Sequence, residues 1–247
     1  MDAGNAVVRM CVRGMEAEAR GESDQARRLF LQAWETASDD YEACIAAHYV
    51  ARHQATPEDT LWWNQKCLDL ADRVGDERVS GFYASLYANM ARAHRELGET
   101  VKAYEYFQRA AERVRDAPDG DYGMWNRFAI AEGLRETGAA ALAGRLSGEC
   151  ERERDVGGVA GGLLADLLAR FCVRQDLKAL GLILPPYLGD LGSAQDRDRL
   201  RSALHMVHAA RWLPAAEQEV LEEAIAALGE ETGARGRTAT GVSRRAQ

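Results

Sequence analysis

One spacing constrains this chain more than any other feature. Gly21 is followed by Ala26, Phe30 and Ala33, and Gly98 is followed at the same intervals by Ala103, Phe107 and Ala110. A glycine ends one helix and lets the chain turn tightly into the next. Small residues at 26, 33, 103 and 110 allow two helices to lie close, and the aromatic fills the space toward the following pair. A middle set, Thr60, Asn64 and Cys67, carries the same spacing with different residues, and the steps between sets are 34 and 43 residues. A period of that size marks stacked helix-turn-helix units.

The local signals agree. Helices are predicted over 7–20, from Ser23-Asp24 to about Thr36, from Asp39-Asp40 to His53, from Pro57 to Arg73, over 77–97, over 100–115 and over 122–137. Gly14 stands at a small position before Gly21, and Tyr87 and Ala91 supply a large and a small residue before Gly98. Ala, Leu, Glu and Arg are abundant, all strong helix formers. Runs of β-branched residues are nearly absent, so a sheet has little to form from.

On these residues the first 138 positions resemble tetratricopeptide-repeat proteins. The run DDYEACIAAHYVARHQATPEDTLWWNQKCLDLADRVGDERV is similar to a small group of actinobacterial proteins of that class. The resemblance implies an α-solenoid with a concave groove lined by the first helix of each pair, and a protein or peptide partner lying in it. The middle pair departs from the pattern, because Thr60 and Asn64 stand where alanine and an aromatic belong.

The rest of the chain carries no such repeat. Residues 139–157, including ECERERDVGG, read as a linker or solvated helix. Residues 158–229 read as a C-terminal helical region, either a bundle or an extension of the superhelix. It has helices over 158–174, 177–184, 195–212 and 215–229, with Pro185-Pro186 expected to end the second. Residues 230–247 read as a disordered tail rich in Gly, Thr and Arg. The fold class expected is therefore all-α: repeat-like helix pairs followed by further helices.

The net charge is −8, and the last fifteen residues hold four arginines and no acid, which leaves −12 on the remainder. Nucleic-acid binders carry a basic face, so no nucleic acid is expected as a partner. Five cysteines, an odd count without C-x-x-C spacing, read as reduced packing residues of a cytoplasmic protein. The start has no basic segment leading into a long apolar run, and no stretch of about 18 or more apolar residues occurs, so neither a leader nor a membrane span is expected.

Carrying the groove positions over residue by residue gives a candidate site. The second pair's first helix offers Tyr41, His48 and Arg52; the third's offers Asn89 and Arg92; the fourth's offers Trp125. His48, Arg52, Asn89 and Arg92 form a hydrogen-bonding, basic patch suited to a carboxylate or a backbone amide. Trp62 and Trp63 point about 100° apart on one helix, so one packs and the other is a half-exposed anchor; Trp63 joins the candidate site.

Catalytic signatures (G-x-S-x-G, H-E-x-x-H, a phosphate-binding glycine loop) are missing. Cys44/His48 and His205/His208 share helix faces but lack a third ligand, so no metal and no cofactor are expected. The expected function is an interaction module or adaptor rather than an enzyme. The alternatives are a small-molecule-binding regulator or atypical enzyme using the same groove, and a homodimer through the C-terminal helices.

Overall fold

A computed structural model describes residues 4–116, 120–146 and 158–241. Among the described residues there are helices and no strands. The chain divides into two compact units, Met1–Gly144 and Arg145–Gln247.

In the first unit the helices are α1 (Ala6–Ala19), α2 (Ser23–Thr36), α3 (Asp40–Val50), α4 (Pro57–Val74), α5 (Glu77–Ser80), α6 (Tyr83–Glu96), α7 (Thr100–Arg113) and α8 (Asp121–Leu146). Caps set several starts. Asn5 accepts from the amides of Val7 and Val8 at 2.8 and 3.1 Å. Asp39 accepts from Glu42 N–H at 2.8 Å, and Thr56 from Asp59 N–H at 3.1 Å with Pro57 in the first turn. The α2 helix has no side-chain cap; Ser23 and Asp24 are its first residues instead. Gly21 and Gly98 turn the chain at φ +78° and +76°, a conformation costly for any residue with a Cβ.

The helices pack as consecutive pairs: α1 on α2, α3 on α4, α6 on α7. The pairs join in chain order, α2 and α1 against α3, and α4 against α6. Phe30 is buried where the first pair meets α3, and Phe107 is buried against Gly133 of α8. Phe30 stacks on Tyr49 of α3 with ring centroids 5.1 Å apart. The expected helix over 77–97 is divided: Gly81, the poorest helix former in that stretch, breaks it, and Phe82 packs on the ring of His48 at 5.1 Å.

The second unit holds α9 (Gly158–Arg174), α10 (Leu177–Leu188), α11 (Ala194–Ala210) and α12 (Ala215–Gly241). All four contribute to one core, with Leu164, Phe171, Ile183, Leu204 and Leu221 at its centre. Pro185 and Pro186 do not end α10. They lie in its last turn, where proline's φ is helical, and the Pro185 carbonyl still accepts from Gly189 N–H at 3.0 Å. The helix expected to stop at 229 continues to Gly241, and α8 continues to Leu146. The remaining stretches of the expected linker and tail, 147–157 and 242–247, lie outside the described residues. No described helix is long and apolar enough to cross a membrane.

Candidate functional site

The candidate residues come from the first helices of successive pairs, from the 3-10 turn Ala51–His53 that follows α3 and from α4, and they divide into three groups. The tightest centres on Arg92 of α6. Its guanidinium donates to Asn89 Oδ1 on its own helix. It also lies over the Trp125 ring of α8, 5.6 Å from the centroid. Arg92 is half-buried and pairs with no carboxylate among the described residues. Burial pushes its pKa down and the positive charge of Arg95 acts in the same direction, while Glu96, one turn along α6, opposes them more weakly. Trp125 is 52% exposed, so the face of the cluster is open to solvent.

Behind Arg92 runs a polar seam. Asn89 Nδ2 donates to Asn64 Oδ1 of α4 over a long 3.5 Å. Asn64 is fully buried and donates its own Nδ2 to the Thr60 carbonyl at 2.7 Å.

Arg52 forms the second group. Its guanidinium pairs with Glu18 of α1 at 3.1 Å, and the same carboxylate oxygen takes His53 Nε2 at 2.8 Å. The guanidinium of Arg52 therefore has a carboxylate at ion-pair distance, whereas that of Arg92 has none among the described residues and feels Glu96 of its own helix only at longer range. His48 adds no charge at neutral pH. It is buried between Tyr49 and Phe82, and burial lowers its pKa to about 4. Its Nδ1 has no hydrogen-bond partner among the described residues.

Tyr41 and Trp63 pack elsewhere. Tyr41 lies about 10 Å along α3 from His48 at 1.5 Å per residue, and Arg78 covers its ring at 4.6 Å. Trp63 stands edge-on to Trp34 and to Trp62, at 5.2 and 4.9 Å. Trp62 is the outer member of that chain, 58% exposed.

The chain matches no family model, no curated protein and no solved structure.

Among the described residues no three His, Cys, Asp or Glu side chains are grouped to hold a metal. Cys44 turns away from a ligand role toward Cys67, with the two sulfurs 3.7 Å apart. Arg92 is a fixed, partly desolvated cation beside an exposed indole, an arrangement suited to an oxyanion with apolar surface next to it. Sequence reasoning passed over Tyr122, one helical turn before Trp125 and 47% exposed. The i, i+3 spacing of two aromatics was its signal.

Proposed function

We propose that the first unit is an interaction module of the tetratricopeptide-repeat type, binding a peptide whose carboxylate docks on Arg92. The pairwise, in-order packing of α1 to α7 supports the repeat reading. The observation that carries the binding reading is Arg92 itself, half-buried, oriented by Asn89, backed by an exposed tryptophan and, among the described residues, without a carboxylate at ion-pair distance. A buried charge without a partner is costly, so such an arginine is poised to gain one. Peptide-library selection on the full chain, followed by titration of the selected peptides, tests it. Arg92→Ala should weaken binding at least tenfold, about 1.4 kcal/mol, and Arg52→Ala much less. Equal affinity in the Arg92→Ala chain would remove the reading.

A second copy of this chain is the other partner we carry. Val173 and Leu177, at the α9–α10 corner, are 88% and 77% exposed, and such neighbouring apolar side chains favour association. A cytoplasmic location agrees with Cys11, Cys44, Cys67 and Cys172 all being free thiols.

A further inference from the structure

Sixteen residues separate Gly14 from Phe30, Ala91 from Phe107, and His48 from Asn64. In the first and third helix pairs the small residue stands on the first helix and the aromatic on the second. A Cβ on Gly14 would lie 2.2 Å from the Phe30 ring, so the two are fitted to each other. The middle pair reverses the sizes: the ring is His48 on α3, and the smaller side chain is Asn64 on α4. The exchange leaves a buried amide where the other pairs bury a phenyl ring.

That amide controls the next one. An asparagine side chain carries a donor end and an acceptor end, and its neighbours decide which way it faces. The Thr60 carbonyl takes Asn64 Nδ2 at 2.7 Å, which turns Asn64 Oδ1 toward α6. Asn64 Oδ1 takes Asn89 Nδ2 at 3.5 Å, which leaves Asn89 Oδ1 facing Arg92. An Asn89 amide rotated by half a turn would present N–H groups to a guanidinium that has only donors. The orientation of Arg92 thus traces back, through two amides, to a backbone carbonyl of α4.

We infer that Asn64 is a positioning residue: the size reversal in the middle pair exists to seat Asn89 and, through it, to hold Arg92 against Trp125. The inference rests on the proposed binding role of Arg92 for its purpose, though not for its geometry. The ligand class it favours is an oxyanion, because the seam holds one guanidinium N–H on Asn89 and leaves the other donors of that group to a ligand.

Rotation about the Nε–Cζ bond of Arg92, measured by NMR on the full chain without ligand, tests the geometry. The Arg92 signal is assigned by its loss in Arg92→Lys. In the natural chain rotation should be slow. In Asn64→Leu it should be at least fivefold faster, with a melting midpoint equal to or above that of the natural chain. A second variant, His48→Gly with Asn64→Phe, installs the small-and-aromatic arrangement of the other pairs and should speed the rotation equally if Asn64→Leu does not fold. Unchanged rotation in whichever variant folds would overturn the inference. Affinity for the selected peptides separates the two readings. Faster rotation with a fivefold or greater loss of affinity supports both. Faster rotation with unchanged affinity keeps Asn64 as the positioning residue and removes the binding role of Arg92.

Discussion

Gly14 and Phe30 are packed so closely that a Cβ on Gly14 would stand 2.2 Å from Cε1 of the ring. Gly133 and Phe107 repeat the relationship at 2.2 Å from Cζ. Phe30 cannot retreat, because it is fully buried and stacked on Tyr49. Alanine at 14 gains about 1 kcal/mol of helix propensity but overpacks the joint, at a cost of about 1–3 kcal/mol. The clash should win, and Gly14→Ala should lower the urea midpoint without changing the slope. Gly161, inside α9, has open space where a Cβ would stand, with nothing within 4 Å. Gly161→Ala should therefore raise the midpoint or leave it unchanged.

The buried imidazole of His48 makes stability depend on pH. Its ordinary pKa of 6.5 falls to about 4 in the fold, first through burial and then through Arg52. The unfolded chain therefore takes up a proton that the folded chain refuses. The stability this gives is whole above pH 6.5, is lost as pH falls toward about 4, and is flat below that. The full drop is worth about 3 kcal/mol. Unfolding free energies of the natural chain and of His48→Gln, measured from pH 7.5 to 4, should diverge in that window, with the variant less steep. Parallel curves would contradict the burial of a neutral His48.

The same positions show what a sequence makes legible. Gly21, Phe30, Gly98 and Phe107 announce helix pairs because a tight turn and a filled joint each demand a residue type. The all-helical class follows from them and is what the structure has. Helical spacing names Arg92, Asn89 and Trp125 among the groove residues, but it groups the first two with His48 and Arg52 rather than with Trp125. His48 is not legible as a buried residue, because its burial depends on Phe82, a residue that enters only where α5 and α6 break. Tyr41 and Trp63 share helices with the site but point at Arg78 and Trp34 instead, a rotation that spacing alone does not fix. The length of α10 is misread for a related reason: proline forbids a helix interior but tolerates a last turn.

Arg174 joins the start of α12 to the end of α9. It pairs with Asp176 at 3.0 Å and with Glu217, whose other carboxylate oxygen is buried without a partner. Those two hydrogen bonds, to Glu217 and then to Asp176, raise the arginine's pKa. Arg174→Ala leaves Glu217 buried and unpaired. Because Arg174 is partly exposed, the loss is discounted to about 1–3 kcal/mol. Arg174→Ala with Glu217→Gln should recover part of it, since a neutral amide is less costly to bury. A double-mutant cycle in urea measures the coupling, and strict additivity would show that the pair contributes nothing.

The self-association proposed for the exposed Val173 and Leu177 can be examined by dilution. Light scattering of the natural chain should show mass rising with concentration, and Val173→Glu with Leu177→Glu should hold it at one chain. A natural chain that stays at 27.2 kDa at every concentration would remove this surface as a self-association site.

The thiols differ sharply in access. Cys11, Cys44 and Cys67 are buried, and Cys172 is exposed. Burial pushes the Cys11 thiol up to about 12. The hydrogen bond with Cys44, and then burial, raise Cys67 as well. A thiol reacts as its thiolate, so Cys11 and Cys67 are protected both by access and by acidity. In the folded Cys150→Ser chain a disulfide reagent should modify Cys172 within minutes, and adding Cys172→Ser should remove that reaction. Cys11, Cys44 and Cys67 should react only at the rate at which the first unit opens, and therefore faster in Gly14→Ala. Rapid labelling of Cys44 or Cys67 in the folded natural chain would show that the middle helix pair opens far more readily than its packing allows.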